Sequence, residues 1–186
     1  IMILEVMGRY AGWIALYAGL AGGADVILIP EVPYELERVV KAVEKRAQQG
    51  KQFSIIVVAE GAKPLGGEMV VERVLPGRTD PIKLGGIGSK LAKDLEEATK
   101  METRVTVLGH LQRGGSPIAV DRVLSTRYGV AAVEAALDED FGKMVALQGQ
   151  NIVRVPLADA VHKLKQVSLD DPILQAARSL GIEIGG

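Results

Sequence analysis

His110, Arg113 and the paired Gly114 and Gly115 fall within one short stretch, VLGHLQRGGSP (residues 107–117), directly behind a run of β-branched residues. The combination suits an anion. Arginine presents a planar fork of donors that matches phosphate oxygens two at a time, and neighbouring glycines let backbone N–H groups come close. His110 donates or accepts as its tautomer requires. A second arginine, Arg9, follows Gly8 behind an earlier apolar run, and Glu60 follows another. An ionised carboxylate only accepts, so Glu60 suits the hydroxyls of a sugar rather than a further phosphate. Together these types describe a pocket for a phosphorylated sugar. Each also has a plainer reading. Arg9 can be a solvated residue, although a cation at a helix start gains nothing from the dipole there. Glu60 can be a surface acid at a strand end, His110 a satisfied core histidine, and Gly114-Gly115 a turn before a helix that Pro117 begins. His162, on a helical stretch beside Lys163, reads as solvent-facing.

Such distant residues meet only if the elements between them alternate in type. Residues 2–6 read as a buried strand, 11–21 as a helix ending at Gly22-Gly23, and 26–29 as a second strand stopped by Pro30. Residues 34–48 come next as a helix with Leu36, Val39, Val40 and Val43 on one stripe, and 53–59 as a third strand. Residues 89–99 read as an amphipathic helix with Ser89 placed to cap it, 103–108 as a fourth strand, and 120–137 as a long helix. Two further strands, 144–147 and 152–155, flank Gly149, and helical stretches cover 158–165 and 173–180. Strands apolar on both faces and separated by helices predict an α/β fold of three layers, α/β/α, around a mainly parallel sheet.

All strands of a parallel sheet point one way, so the residues immediately behind each strand collect along one edge, where α/β folds bind ligands. There the first strand delivers Met7, Gly8 and Arg9, the third Glu60, and the fourth His110, Leu111, Gln112 and Arg113. Arg104 opens the fourth strand and therefore lies at the opposite edge, roughly 17 to 20 Å away for a strand of five or six residues. It is either a ligand for a neighbouring subunit or a solvated partner of Glu102. Residues 61–88, rich in Gly, Pro and charge, exceed an ordinary connection and read as a functional loop or an excursion with its own strand near 69–74.

The chain of 186 residues reads as one domain, residues 1–186, with no linker to split it. Its net charge of −1, from 22 basic and 23 acidic residues, supplies no general attraction for nucleic acid or anionic lipid. Absence of cysteine removes disulfides and thiolate chemistry and is compatible with the cytoplasm. The apolar opening is interrupted by Glu5, Arg9 and Asp25 before it reaches the ~20 residues a bilayer needs, so no membrane span is expected. There is no P-loop, LGGIGSKLAKDL lacks the glycine spacing and preceding strand of a dinucleotide fingerprint, and two histidines without cysteine make a zinc site a poor fit. No metal site is expected in this chain.

The stretches EVMGRYAGWIALYAGLAGGADVILIPE and ETRVTVLGHLQRGGSPIAVDRVLSTRYG resemble, in order and spacing, the C-terminal, sugar-phosphate-binding half of the 6-phosphofructokinase family. The likeness extends over about residues 1–155 and loosens from about Leu157. The resemblance implies a glycolytic transfer of phosphoryl from MgATP, or from pyrophosphate in some members, to the 1-hydroxyl of fructose 6-phosphate. It implies a cytoplasmic homo-oligomer with active sites shared between subunits. Met7, Gly8, Arg9, Glu60, His110, Leu111, Gln112 and Arg113 would contact fructose 6-phosphate, and Arg104 would reach the 6-phosphate in an adjacent subunit. Arg9 would stabilise charge on the transferring phosphate while the others hold the acceptor. A nucleotide effector would lie near Gly23, Ala24 and Asp25 and near residues 49–53, where Lys51 fits but Gln49 stands at a position expected to be basic. The family's Gly-Gly-Asp nucleotide segments and Thr-Ile-Asp-Asn-Asp catalytic segment have no counterpart here. The chain therefore reads as a fragment lacking the N-terminal nucleotide-binding part, inactive and binding no cofactor by itself. The excursion at 61–88 resembles the longer group that includes pyrophosphate users. A non-catalytic sugar-phosphate-binding module and an oligomerisation domain are the competing readings.

Overall fold

A computed structural model describes residues 1–77, 81–162 and 164–186. They form two compact units, Ile1–Gln112 with Gln166–Gly186, and Arg113–Lys165. In the first unit, β1 (Met2–Val6), β2 (Val26–Leu28), β3 (Ile55–Ala59) and β6 (Arg104–Val107) make an all-parallel sheet in the order β2-β3-β1-β6. The register sets Val6 beside Ala59 and Glu5 beside Val107, so the strands end at one level. Successive side chains of a strand point to opposite faces, and both faces here are covered. Ile3, Val26, Leu28, Ile56 and Val58 cluster with α2 (Leu36–Gln48) and α3 (Ile87–Thr99). Val6, Ile27, Val57 and Ala59 cluster with α1 (Trp13–Ala21) and α6 (Pro172–Ser179). This is the three-layer α/β/α arrangement, and it explains why the strands read as unbroken apolar runs. The end of the chain lies beside β2, where Ile27 N–H donates to Glu183 O (2.9 Å) and Glu183 N–H to Asp25 O (3.0 Å).

The excursion after β3 contains an antiparallel pair, β4 (Val71–Val74) and β5 (Ile82–Leu84), where one strand is expected. β5 is three residues between Pro81 and Gly85, too short for periodicity to reveal. Residues 78–80 of the excursion lie outside the described residues. α3 starts two residues earlier than the sequence predicts, from a left-handed Gly86 (φ 92°), so Ser89 sits inside the first turn and does not cap it. The carboxylate of Glu5, only 2% exposed, does that work instead, accepting Gly86 N–H (3.0 Å) and Gly88 N–H (2.8 Å).

In the second unit, α4 (Ala119–Leu137) is followed by the hairpin β7 (Lys143–Gln148) and β8 (Asn151–Pro156), a separate antiparallel sheet, and by α5 (Leu157–His162). The helix expected over 158–165 includes Lys163, which lies outside the described residues. Arg154 bridges Asp138 (2.8 Å) and Asp140 (3.3 Å), and Lys143 pairs with Asp140 (2.6 Å), so Lys143 and then Arg154 hold the Asp140 carboxyl below the usual carboxylate range. Among the described residues of this unit none is buried, and Val120, Val123, Val130 and Val133 of α4 are exposed.

Tyr34 is 1% exposed, and its hydroxyl has no hydrogen-bond partner among the described residues. Burial, with the charge of Asp94 second, pushes its phenol from 10.0 up to about 12. The unfolded chain therefore releases this proton first. Stability that is full below pH 10 is lost as pH rises towards 12, because only the unfolded state gains from ionisation in that window. Tyr34→Phe removes both the unpaired hydroxyl and the titration. Denaturant unfolding is expected to show the variant equally stable or more stable by about 1 kcal/mol at neutral pH. Between pH 10 and 11 it loses less stability than the parent; equal losses would show that this phenol does not carry the effect.

Candidate functional site

β1 and β3 are neighbours, yet α1, which follows β1, packs on one face of the sheet and α3, the next helix after β3 and the β4–β5 pair, packs on the other. The chain thus leaves these adjacent strands towards opposite faces, and in open α/β sheets the carboxyl ends at such a point are the usual seat of ligands. The loop from Met7 to Gly12 and the side chain of Glu60 occupy this edge.

A loop leaves backbone N–H groups without ladder partners, and here other segments supply the acceptors. Gln112 Oε1 accepts Met7 N–H (3.3 Å), and Glu60 Oε1 accepts both Gly8 N–H (3.2 Å) and Arg9 N–H (3.0 Å). Gln112 in turn donates from Nε2 to Gly109 O (3.3 Å), within the 3-10 turn Gly109–Arg113 that follows β6. Met7, Gly8, Arg9, Glu60 and Gln112 are thus brought together, with His110 and Leu111 exposed on the same turn. Arg113 is the last residue of that turn, exposed, and belongs to the second unit.

Arg9 holds a left-handed backbone, φ 51°, which costs a side-chain-bearing residue roughly 1–2 kcal/mol. Such strain persists where the surroundings over-determine it, and the two bonds to Glu60, strengthened by its charge, do so here. Close approach adds a second constraint. A Cβ on Gly61 would lie 1.9 Å from Arg9 O, so only glycine fits behind the loop. Glu60 and Gln112, expected as ligand contacts, therefore have a second task within the protein: they fix the loop from which Arg9 projects.

Arg104 pairs in register with Met2 at the start of β1, at the sheet edge opposite His110. Its guanidinium grips Glu102, with Nε at 3.0 Å and Nη2 at 2.8 Å from Oε1, and holds that carboxyl below its ordinary range. It does not join the other candidates within its own chain. Gly23, Ala24 and Asp25 line a cavity of about 690 Å³ with Arg38, Lys41, Lys45 and Arg46 of α2. Asp25 pairs with Arg46 (2.8 Å) and accepts Ile55 N–H (2.8 Å). Lys51 lines a different cavity, of about 350 Å³, beside Gln52 and Phe53. Among the described residues no three of His, Asp and Glu gather closely enough to hold a metal ion, and no helix is long and apolar enough to cross a membrane.

One residue of this edge escapes the sequence reading, Glu31, while Gly61, which the third strand delivers with Glu60, proves to be the point of close approach to Arg9. Glu31 follows β2 and Pro30 as Glu60 follows β3, so the rule that selects Glu60 selects it too.

The family model for phosphofructokinase matches residues 1–136. The chain belongs to the phosphofructokinase family. An ATP-dependent 6-phosphofructokinase of Chloroflexus aurantiacus is 58% identical over 185 residues, which are 100% of this chain and 50% of that protein. A pyrophosphate–fructose 6-phosphate 1-phosphotransferase of Amycolatopsis methanolica is 56% identical over 167 residues, 89% of this chain and 48% of that one. Among solved structures, the phosphofructokinase of Pichia pastoris superposes with a TM-score of 0.68 at 36% identity, over 97% of this chain and 19% of that one. The chain spans about half the length of the curated phosphofructokinases it matches.

Proposed function

We propose that the chain is the acceptor-binding part of a 6-phosphofructokinase. It holds fructose 6-phosphate while a phosphoryl group passes from MgATP or pyrophosphate to the sugar's 1-hydroxyl. The observation that carries this reading is the strained Arg9 loop, pinned by Glu60 and Gln112 at the carboxyl edge of a parallel sheet, beside the turn that bears His110. Donors fixed in this way need no reorganisation when charge develops on the transferring phosphate. Arg9 supplies that charge; Met7, Gly8, Glu60, His110, Leu111, Gln112 and Arg113 hold the sugar phosphate. Arg104, at the far edge, serves the 6-phosphate of an adjacent subunit in a cytoplasmic homo-oligomer. Gly23, Ala24, Asp25 and Lys51 are the proposed effector contacts, and residues 1–186 act as one sugar-phosphate-binding part. Magnesium enters with the donor, as part of the substrate. Relatives at 58% and 56% identity are named for different donors, ATP and pyrophosphate.

The test is thermal unfolding of the full-length gene product that contains this chain, with and without fructose 6-phosphate. A ligand of the folded state raises stability by mass action, by about 2.7 kcal/mol at a concentration 100 times Kd. The midpoint is expected to climb with fructose 6-phosphate and to ignore unphosphorylated fructose. A purely structural or oligomerisation module would be indifferent to both. Transfer of phosphoryl to the sugar by the same preparation separates the enzyme from a non-catalytic binding module.

A further inference from the structure

Glu31 lies half-buried among segments that have no sequence proximity to one another. Both its carboxylate oxygens accept the N–H of Gly12, at 3.0 and 3.1 Å, and Oε1 also accepts Val167 N–H at 2.8 Å. The next residue back, Gln166, donates from Nε2 to Tyr10 O (3.3 Å). Gly12 itself has no space for a side chain, because a Cβ would lie 2.4 Å from the Ile29 side chain and 2.9 Å from Glu31 Oε2. Gly12 stands at the start of α1, whose first turn carries no acid and has no side-chain cap of its own. Glu31 therefore supplies, from the segment behind β2, the negative charge that a helix start favours.

The loop after β1 is thus held at both ends. Gln112 and Glu60 take the N–H groups of Met7, Gly8 and Arg9; Glu31 takes that of Gly12, and Gln166 donates to the carbonyl of Tyr10. Arg9 lies between the two grips, in a left-handed conformation (φ 51°) of the kind that persists where its surroundings over-determine it. We infer that Glu31 is a positioning residue for Arg9, and that through it the returning segment at Gln166 and Val167 sets the geometry of the site. The inference rests on the acceptor-binding role proposed above.

A double-mutant cycle in the full-length gene product tests it. Glu31→Ala is expected to lower kcat/KM for fructose 6-phosphate about 30-fold in the parent, within the range that misplacing a catalytic group by an ångström produces. In an Arg9→Ala background the same change is expected to cost less than about threefold, because residues acting as a unit are not additive. Equal losses in both backgrounds, or no loss in the parent, would overturn the assignment and leave Glu31 a general stabiliser. Glu31→Gln, which keeps one acceptor oxygen for Val167 and Gly12, is expected to recover most of the activity and serves if the alanine variant does not fold. Amide exchange decides the matter independently of chemistry: Gly8, Arg9 and Gly12 are expected to exchange faster together in the variant while β3 is unchanged. Unaltered exchange of Gly8 and Arg9 sinks the inference. A parent with neither phosphoryl transfer nor stabilisation by the sugar phosphate sinks the functional reading instead.

Discussion

Arg9→Ala is expected to lower kcat for phosphoryl transfer to fructose 6-phosphate in the full-length gene product by about 100- to 1,000-fold, the cost of removing one preorganised donor from developing charge. The loop should survive the substitution. What Glu60 holds is the backbone N–H of Arg9, at 3.0 Å, and alanine presents the same N–H and the same Cβ to the left-handed conformation. The change therefore isolates the guanidinium. Stabilisation by fructose 6-phosphate is expected to fall only modestly, since the other contacts remain, so the loss appears in kcat more than in KM. Arg9→Lys keeps the charge but not the planar fork, and is expected to recover less than a tenth of the lost activity if two phosphate oxygens are engaged at once. Steady-state kinetics on the two variants, with thermal unfolding in the presence of the sugar phosphate as the control for binding, read both effects. An alanine variant within about threefold of the parent kcat would remove Arg9 from the reaction and with it the central electrostatic element of the proposal.

The shared edge of the candidate residues is legible because the rule that places them is topological. Once residues 2–6, 53–59 and 103–108 read as parallel strands, the segments leaving them must share an edge, and Met7, Gly8, Arg9, Glu60 and Gln112 do share it. What the pattern could not carry was who holds whom. Glu60 suggests an outward-facing acceptor by type, yet its Oε1 serves two amides of its own chain. Glu31 sits on the same edge after β2, but its partners, Gly12 and Val167, are 19 and 136 residues away, and no local periodicity encodes a bond of that span. The hairpin β4–β5 was half visible for a similar reason: a three-residue strand becomes one only by pairing. In α3 the sequence suggested a local cap at Ser89, and a distant carboxylate took that place. Local composition finds the elements and the edge; the hydrogen bonds that tune the edge arise only from tertiary packing.

That distant carboxylate carries the largest expected effect on stability. Glu5 lies in β1, on the face covered by α2 and α3, where an acid would be out of place without a partner. Its two oxygens meet the N–H groups of Gly86 and Gly88, so a charge taken from water is offset by two strong bonds at a helix start that has no other cap. The glycines of LGGIG are what make this approach possible. A Cβ on Gly88 would lie 3.0 Å from Glu5 Oε2 and 3.1 Å from Val105 Cγ1, and Gly86 adopts a φ of 92°. The same glycine-rich helix start that superficially suggests an anion-binding loop already has its anion, from within the sheet. Glu5→Ala removes both bonds and leaves the half-buried Gly86 N–H and the buried Gly88 N–H unmet, with charge-assisted bonds worth about 1.5–3 kcal/mol each. Denaturant unfolding is expected to show a loss of about 3–5 kcal/mol and thermal unfolding a midpoint lower by about 10 °C. Glu5→Gln retains one acceptor and is expected to lose about half as much, since its amide group faces a second N–H it cannot accept from. If the loss is instead under about 1 kcal/mol for both, α3 is held by its apolar face against β6 and β1 alone, and the carboxylate is incidental to it.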